Sequence, residues 1–504
     1  MIEQYTTGLN PLIRGRRRLR APIGNGPGRP ARRDFLKGAA ATLVLAPSAV
    51  TAAEAGPSRL PETILVVGAG LAGLAAAFRL RDAGKHVIQI EARNAPGGRV
   101  RTLRGYFEDG LYAELGAARI AETHEYALHW LNDLRLGLVP FAPETGSAVL
   151  AVNGRHAVAD NAAEREKLAP GLHADERNLS VPGLLLKYIA DAPEELASAD
   201  VNLADPRWRS YDRMTWPAWL ASRGASPAAI RLMMLGGDSS AFSALFMLQQ
   251  IMLHRDSRQY FKIEGGMDRL PKGIAAALRL PIRYNCRLAR LTQTGTGVRA
   301  ECRTGGATET IAADRAVLAI PFSMLRQITI DPPFSPAKSR IITDLTYFSA
   351  SRFLLETKSR FWTSERLNGS ARTDGPADIW DMSFGQKGNA GLISLTTGND
   401  RIEQDLMKLM PEQQVNFGAS LASAAFPQIE TQLQKGFVQI WGRDPYAGGA
   451  FSVFKPGQMT AWAGVMAAPE GRVHFAGEHL SPWNGWMEGA LWSGEHAAQE
   501  IIQA

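Results

Sequence analysis

The chain has 504 residues, 45% of them hydrophobic, and a formal net charge of +7. That length allows two or three domains around a large core. Residues 1–60 hold ten of the 56 Lys/Arg and three of the 49 Asp/Glu, which leaves 46 of each beyond them. The basic balance therefore belongs to the N-terminal segment and argues for no nucleic acid or acidic partner.

That segment reads as an export signal. Arg32-Arg33-Asp34-Phe35-Leu36-Lys37 resembles the twin-arginine pattern, with Ala31 where Ser or Thr is usual. Gly38 to Val50 is a mild apolar run, too short for a bilayer span, and Ala53-Glu54-Ala55 is a small-residue cleavage site. Residues 1–55 are expected to be a signal, and the protein periplasmic or secreted. A disordered basic tail is the alternative. No later run is long and apolar enough to span a membrane.

Glu62 to Thr102 organises the rest. Ile64 to Val67 suits a strand buried on both faces. Gly68, Gly70 and Gly73 follow as G-x-G-x-x-G, then a helix from Leu71 to Ala83 that ends at Gly84, then a strand from Val87 to Ile90. Gly68 allows the tight turn, Gly70 lets the backbone approach a pyrophosphate, and Gly73 lets helix and strand pack closely. The helix N-terminus presents free N–H groups and a positive dipole end to phosphate. Glu91, eighteen residues past Gly73, is placed for a ribose. Gly97-Gly98-Arg99 and Arg101 then supply a second close turn and positive charge for a pyrophosphate. The residues alone indicate a dinucleotide.

This arrangement resembles the N-terminus of the flavin amine oxidases, and the resemblance implies non-covalent FAD rather than NAD. It also implies that Ala72, Ala92 and Arg93 join Gly68, Gly70, Gly73, Glu91, Gly98 and Arg99 at the cofactor. Gly116-Ala117-Ala118-Arg119 is similar to the turn of L-amino-acid oxidases beside the flavin. There Ala117 and Arg119 would lie at the cofactor, and Arg119 would hold a substrate carboxylate. The plainer possibility is that Arg119 pairs with an acid such as Glu122.

Residues 122–256 read as a helical insertion, with helical stretches at Glu125–Leu136, Leu184–Ile189 and Ala228–Leu253. His254 ends it as a satisfied or exposed helix-end histidine, although some family members place a histidine near the substrate path. Gly265-Gly266-Met267 turns into a helix over Leu270–Leu278. Strands are expected at Ile282–Leu291 and Gly297–Cys302, joined by Thr294-Gly295-Thr296-Gly297 as a hairpin, and at Ala316–Ile320. The resemblance puts the backbone near Leu288 on the adenine. Cys286 and Cys302 flank the hairpin and are read as two buried thiols rather than a disulfide.

Ser351–Glu356 and Leu392–Thr397 are strand-like pieces of a substrate domain. Arg352 stands where the family typically has a lysine that reaches flavin N5 through water, and it is expected to govern reaction with oxygen. Trp380 stands roughly where an aromatic residue meets substrate. Arg401–Phe426 reads as an amphipathic helical stretch, and Phe437–Trp441 as the return to the flavin domain. Tyr446 to Ala450 resembles the family's turn over the flavin. Glu478, ending Gly471-Arg472-Val473-His474-Phe475-Ala476-Gly477, would bind the ribityl chain. Gly485, Trp486 and Met487 would open the last helix against the flavin, the Gly485 carbonyl taking the amine and Trp486 walling the pocket.

The expected fold is α/β: an FAD-binding Rossmann-like flavin amine oxidase fold, with a mixed-sheet substrate domain and the helical insertion. Residues 60–121, 257–336 and 437–504 form the FAD-binding domain, and 122–256 and 337–436 the substrate domain. The implied reaction is FAD-dependent oxidative deamination of an L-amino acid to a 2-oxo acid, ammonia and hydrogen peroxide, with oxygen as acceptor. A primary amine or polyamine oxidase, or a non-catalytic flavoprotein, are the alternatives. The expected partners are a small amino acid or amine and molecular oxygen; no metal ligand set is present in the sequence, and a homodimer is one possible assembly. Mass spectrometry of exported protein is expected to give a mature chain starting near Gly56, and Arg32→Lys with Arg33→Lys to block export; retained Met1 or unharmed export would refute the signal.

Overall fold

A computed structural model describes residues 61–375 and 377–504, and the twin-arginine segment lies outside them. Thr63–Val67 is a β-branched run in which Ile64, Leu65 and Val66 have no exposure. It is the middle of five parallel strands, in the order Ile282–Arg283, His86–Ile90, Thr63–Val67, Arg315–Leu318, Val473–Phe475. Four distant segments of chain thus share one sheet, buried on both faces as parallel sheets are.

Helix Leu71–Asp82 follows the glycine turn. It stops where Gly84 takes a φ of +78°; Gly84 N–H then bonds Arg81 O (2.9 Å) and Lys85 N–H bonds Leu80 O (3.0 Å). The last helix, Met487–Gln503, lies on this first one. The contact is backbone to backbone: a Cβ on Gly494 would sit 2.1 Å from Ala72 O.

A four-stranded sheet leans beside this unit, in the order Ala307–Ala313, Val298–Thr304, Cys286–Gln293, Thr329–Asp331. The expected hairpin is there, with Thr294 N–H bonded to Gly297 O (2.8 Å). The single strand expected over Ile282–Leu291 is two. Asn285, at φ +55°, breaks it, so that Ile282–Arg283 joins the parallel sheet and Cys286–Gln293 the other. Cys286 and Cys302 are buried free thiols, as expected.

The substrate side is built on seven strands, in the order Leu433–Ile440, Ser351–Thr357, Gly391–Thr397, Ala377–Asp381, Leu367–Thr373, Ser147–Val152, Arg155–Val158. Strand residues alternate faces. Phe353, Leu355, Ile379 and Leu395 pack with Leu406, Ala419 and Ala422 of the covering helices Asp400–Leu406 and Pro411–Ser423. Arg352, Asp378, Trp380 and Thr396 take the opposite face. Strand Leu433–Ile440 pairs along its length with Ser351–Thr357, so a boundary between 436 and 437 would cut this sheet; the return toward the flavin side falls after Ile440.

The expected helical insertion is only partly so: Leu138–Pro140, Ser147–Val152 and Arg155–Val158 are strands, the last two at the edge of the seven-stranded sheet, and helices prevail from Ala162 on, where Ala228–Leu253 is not one helix. Pro227–Met233 and Ala244–His254 are separated by a loop in which Gly236 takes φ +90°, and the Ser243 side chain caps the second helix. Three of these helices open with a Ser or Thr cap and a proline in the first turn: Ser180 before Val181–Ile189, Thr215 before Trp216–Ser222 and Ser226 before Pro227–Met233. Arg401–Phe426 likewise divides, at Pro411. No described helix is long and apolar enough to cross a membrane. Gly494→Ala is expected to lower stability by about 1–3 kcal/mol through overpacking against Ala72; an unchanged Tm in thermal unfolding would show that the two helices can part without cost.

Candidate active site

The carboxyl ends of the parallel strands open into one cavity, where open α/β sheets bind ligands. Its first wall is the glycine turn. A Cβ on Gly73 would lie 2.0 Å from Gly68 O, so the helix starts against the turn itself. Glu91 ties this turn to the second strand: Oε2 accepts from Ala69 N–H (2.7 Å) and Oε1 from Arg93 N–H (2.8 Å). Burial raises the Glu91 pKa above the ordinary carboxylate value, and the two amides act against that rise. The second glycine turn docks on the first through Gly97 N–H to Ala69 O (2.9 Å). Arg93 pairs with Asp444 and lies 5.0 Å over the Tyr446 ring. Arg101 pairs with the same acid at 3.5 Å and is away from the cavity wall.

The turn from Gly116 to Ala118 forms the next wall. It is held by Arg352, whose Nη1 donates to Gly116 O (2.5 Å) and Glu114 O (3.1 Å) and whose Nε donates to Thr396 Oγ1 (3.2 Å). Arg352 also lies 4.8 Å over Trp380. Its donors are therefore engaged with backbone carbonyls rather than held out as a point charge. Arg119, the next residue after the turn, is 6% exposed. Its guanidinium carbon is 4.1 Å from the Phe141 ring centre and 5.1 Å from that of Trp380, and Nη2 is 3.9 Å from Asp378 Oδ2. Its acid neighbour is Asp378; Glu122 instead accepts from Arg258 N–H.

The third wall comes from the end of the chain. Glu478 is buried, and its carboxylate receives Arg99 Nη1 (2.8 Å), Ser452 Oγ (3.0 Å) and Gly485 N–H (2.7 Å). Burial alone would raise its pKa, but the Arg99 guanidinium and these donors bring it below the ordinary carboxylate value. Gly485, at φ +84°, turns the chain so that Trp486 caps the last helix. The first-turn N–H groups and positive dipole end of that helix face the cavity.

Trp486 is backed by a buried histidine pair. His254 stacks on it (4.4 Å between ring centres) and His124 meets it edge-on (5.0 Å). Ala121 N–H donates to His124 Nδ1 (3.3 Å), the two Nε2 atoms are 3.0 Å apart, and His254 Nδ1 is 2.8 Å from Gln250 O. One proton per contact requires both rings neutral, His124 carrying its proton on Nε2 and His254 on Nδ1. Burial holds His124 well below the ordinary histidine value. His254 is a satisfied core histidine, away from the cavity wall.

Of the catalytic and cofactor-binding residues expected at the site, all except Gly73, Arg101 and Arg119 line the cavity. Gly73 packs beneath the turn, and Arg119 sits behind the wall made by Trp380 and Asp378. Leu288 lines it at the nucleotide end, beside Arg287 and Cys286. Sequence reasoning missed Asp378, Thr396, Trp441, Asn484 and Ile320, which also line it. Asp378 had a faint signal in lying two residues before Trp380, the spacing that puts both on one face of a strand, but no strand was expected there. Trp441 had none, since its role is to donate Nε1–H to Leu115 O (2.8 Å) across 326 residues.

Glu478→Gln is expected to cost on the order of 3 kcal/mol by leaving Arg99 without its buried partner. A pKa held below the ordinary 4.5 adds stability above that value, which is lost as pH falls through the folded-state value. The Tm gap between wild type and variant should therefore close in acid below 4.5. A gap that stays constant with pH would remove the charge from this account.

A family model for flavin containing amine oxidoreductases matches residues 71–502. The Bacillus subtilis (strain 168) protein YobN is 30% identical over 465 residues, spanning 88% of this chain and 95% of its own. The L-amino-acid oxidase of Vipera ammodytes ammodytes is 28% identical over 455 residues, spanning 88% and 93%. Putrescine oxidase bound to putrescine superposes with a TM-score of 0.75 at 21% identity, over 88% of this chain and 100% of that one. Cyclohexylamine oxidase from Brevibacterium oxydans IH-35A gives 0.73 at 24%, over 88% and 99%. The cavity suits such a cofactor, with two helix N-termini, the Glu91 carboxylate at the end of the second strand and close glycine backbone along one wall. The chain belongs to the flavin-containing amine oxidoreductases, and its cofactor is FAD.

Proposed function

We propose that this enzyme oxidatively deaminates an L-amino acid to a 2-oxo acid and ammonia, with oxygen as electron acceptor and hydrogen peroxide as the second product. FAD, when bound, supplies the two-electron acceptor; the chain's own residues bind, orient and dry the substrate. The observation that carries this reading is Arg119: a buried guanidinium directly after the Gly116–Ala118 turn, set just behind the cavity wall where Trp380 and Phe141 cover it. A carboxylate in so dry a place needs a planar charged partner, and arginine offers a fork that matches both oxygens. The named L-amino-acid oxidases among its relatives support it. Gly485 O would take the substrate amine and Trp486 would wall the pocket. Arg352 is assigned to bracing the turn that leads into Arg119, in place of a direct part in the oxygen reaction.

A primary amine or polyamine oxidase is the second reading, favoured by Asp378, an acid that already faces Arg119. The sequence of residues 1–55 supports export by the twin-arginine route. Comparing kcat/KM for L-amino acids and their decarboxylated amines, in wild type and Arg119→Met, separates the two substrate readings. Arg119→Met is expected to lower amino-acid turnover by roughly two to three powers of ten and to cost the amine far less, with FAD retained. Preference of wild type for the amine, or equal loss on both, would favour the amine oxidase.

A further inference from the structure

Two helix N-termini meet behind Trp486, and neither is capped by its own side chain. Helix Glu125–Asp133 starts at His124 and helix Met487–Gln503 at Trp486, and neither of these side chains bonds to the first turn that follows it. A cap ordinarily serves the second and third amides of a helix. In helix Glu125–Asp133 those amides go to the other helix: Tyr126 N–H donates to Glu488 Oε1 (2.9 Å) and Ala127 N–H to Glu488 Oε2 (2.8 Å). The His124 ring serves Ala121 N–H and His254 instead, and meets Trp486 edge-on at 5.0 Å.

Three buried side chains thus join the two helix ends. Glu488, in the first turn of the last helix, caps the earlier one. His124, at the start of the earlier helix, packs on Trp486 at the start of the last. Two positive dipole ends brought close oppose each other, and a carboxylate shared between them relieves that opposition. Burial raises the Glu488 pKa to about 7, and the two amides act against that rise. Trp486, Met487 and Ala490 line the cavity, whereas Glu488 is turned to the neighbouring helix and is no part of the wall.

We infer that Glu488 is a positioning residue for the substrate pocket: by capping the neighbouring helix it seats His124 against Trp486, and so fixes the ring that walls the cavity. The inference does not depend on the choice between an amino acid and an amine, because Trp486 lines the cavity in either case. Loss of one Glu488 bond leaves a buried amide of helix Glu125–Asp133 without an acceptor, and the start of that helix, with His124, loses its fixed place. The substrate then meets a wall that is no longer held, which weakens its binding more than the step that follows.

The test measures kcat, KM and Tm for FAD-loaded wild type, Glu488→Gln, Trp486→Phe and the double variant. The probe is whichever of the L-amino acids and their decarboxylated amines wild type oxidises fastest. Glutamine keeps the size of the side chain and one accepting oxygen, so FAD should stay bound, as read from its visible absorbance. Glu488→Gln should raise KM by about tenfold and change kcat by less than about threefold. If Trp486 transmits the effect, the two substitutions should be non-additive in KM by about threefold or more. An unchanged KM in Glu488→Gln, whatever happens to Tm, overturns the inference and leaves Glu488 as a tie between helices; so do KM effects that simply add. If Glu488→Gln does not retain FAD, His124→Leu is read in its place. It leaves both Glu488 bonds standing and removes the ring from Trp486, so it should raise KM in the same way, and an unchanged KM overturns the inference.

Discussion

Glu478 accepts hydrogen bonds from Arg99, Ser452 and Gly485, three stretches of chain that its carboxylate ties together. The same device recurs. Glu91 holds the Ala69 and Arg93 amides, Glu114 takes Met267 N–H (3.0 Å) and Thr102 Oγ1 (2.8 Å), and Glu488 takes Tyr126 N–H (2.9 Å) and Ala127 N–H (2.8 Å). In an FAD-binding unit assembled from separated segments, such ties add to the strand pairing of the parallel sheet and reach the loops that the sheet leaves unjoined. Each buried acceptor is costly alone and is offset only when several donors converge on it. These acids are therefore as much a part of the fold as the parallel sheet.

The two ends of the cavity are built differently. At the nucleotide end the contacts are backbone: the first glycine turn, the second docked on it, and a last helix that approaches the first with no side chain between them. At the substrate end they are side chains on alternate positions of sheet strands, with Arg352, Thr396 and Asp378 in one row and Trp380 on the same face. The turn from Gly116 to Ala118 joins the two ends. Arg352 fixes it from the sheet side, and Trp441 holds Leu115 just before it.

This division explains what the sequence disclosed. The nucleotide end was legible because its physics is local: three glycines, a helix start and an acid eighteen residues on follow from one turn's geometry. Most strands were legible from short apolar or alternating runs. The broken elements were missed where one residue decides, as with Asn285 at φ +55° or the Ser243 cap. The partners of Arg119, Arg352 and His254 were not legible, because Asp378, the Gly116 carbonyl and His124 are remote in sequence. A sequence shows that a charge exists; only the packed sheet shows what the charge faces.

The same division bears on how chemistry can vary on this scaffold. A change at the nucleotide end meets backbone at van der Waals distance or closer, so it strains the fold before it alters specificity. A change in the sheet row alters charge at the wall while the alternating partners Phe353, Ile379 and Leu395 keep the core under the helices. The period of two thus separates stability on one face from selectivity on the other. Charge at the substrate wall can be retuned one strand position at a time, and that is where a preference among acids and amines would be set.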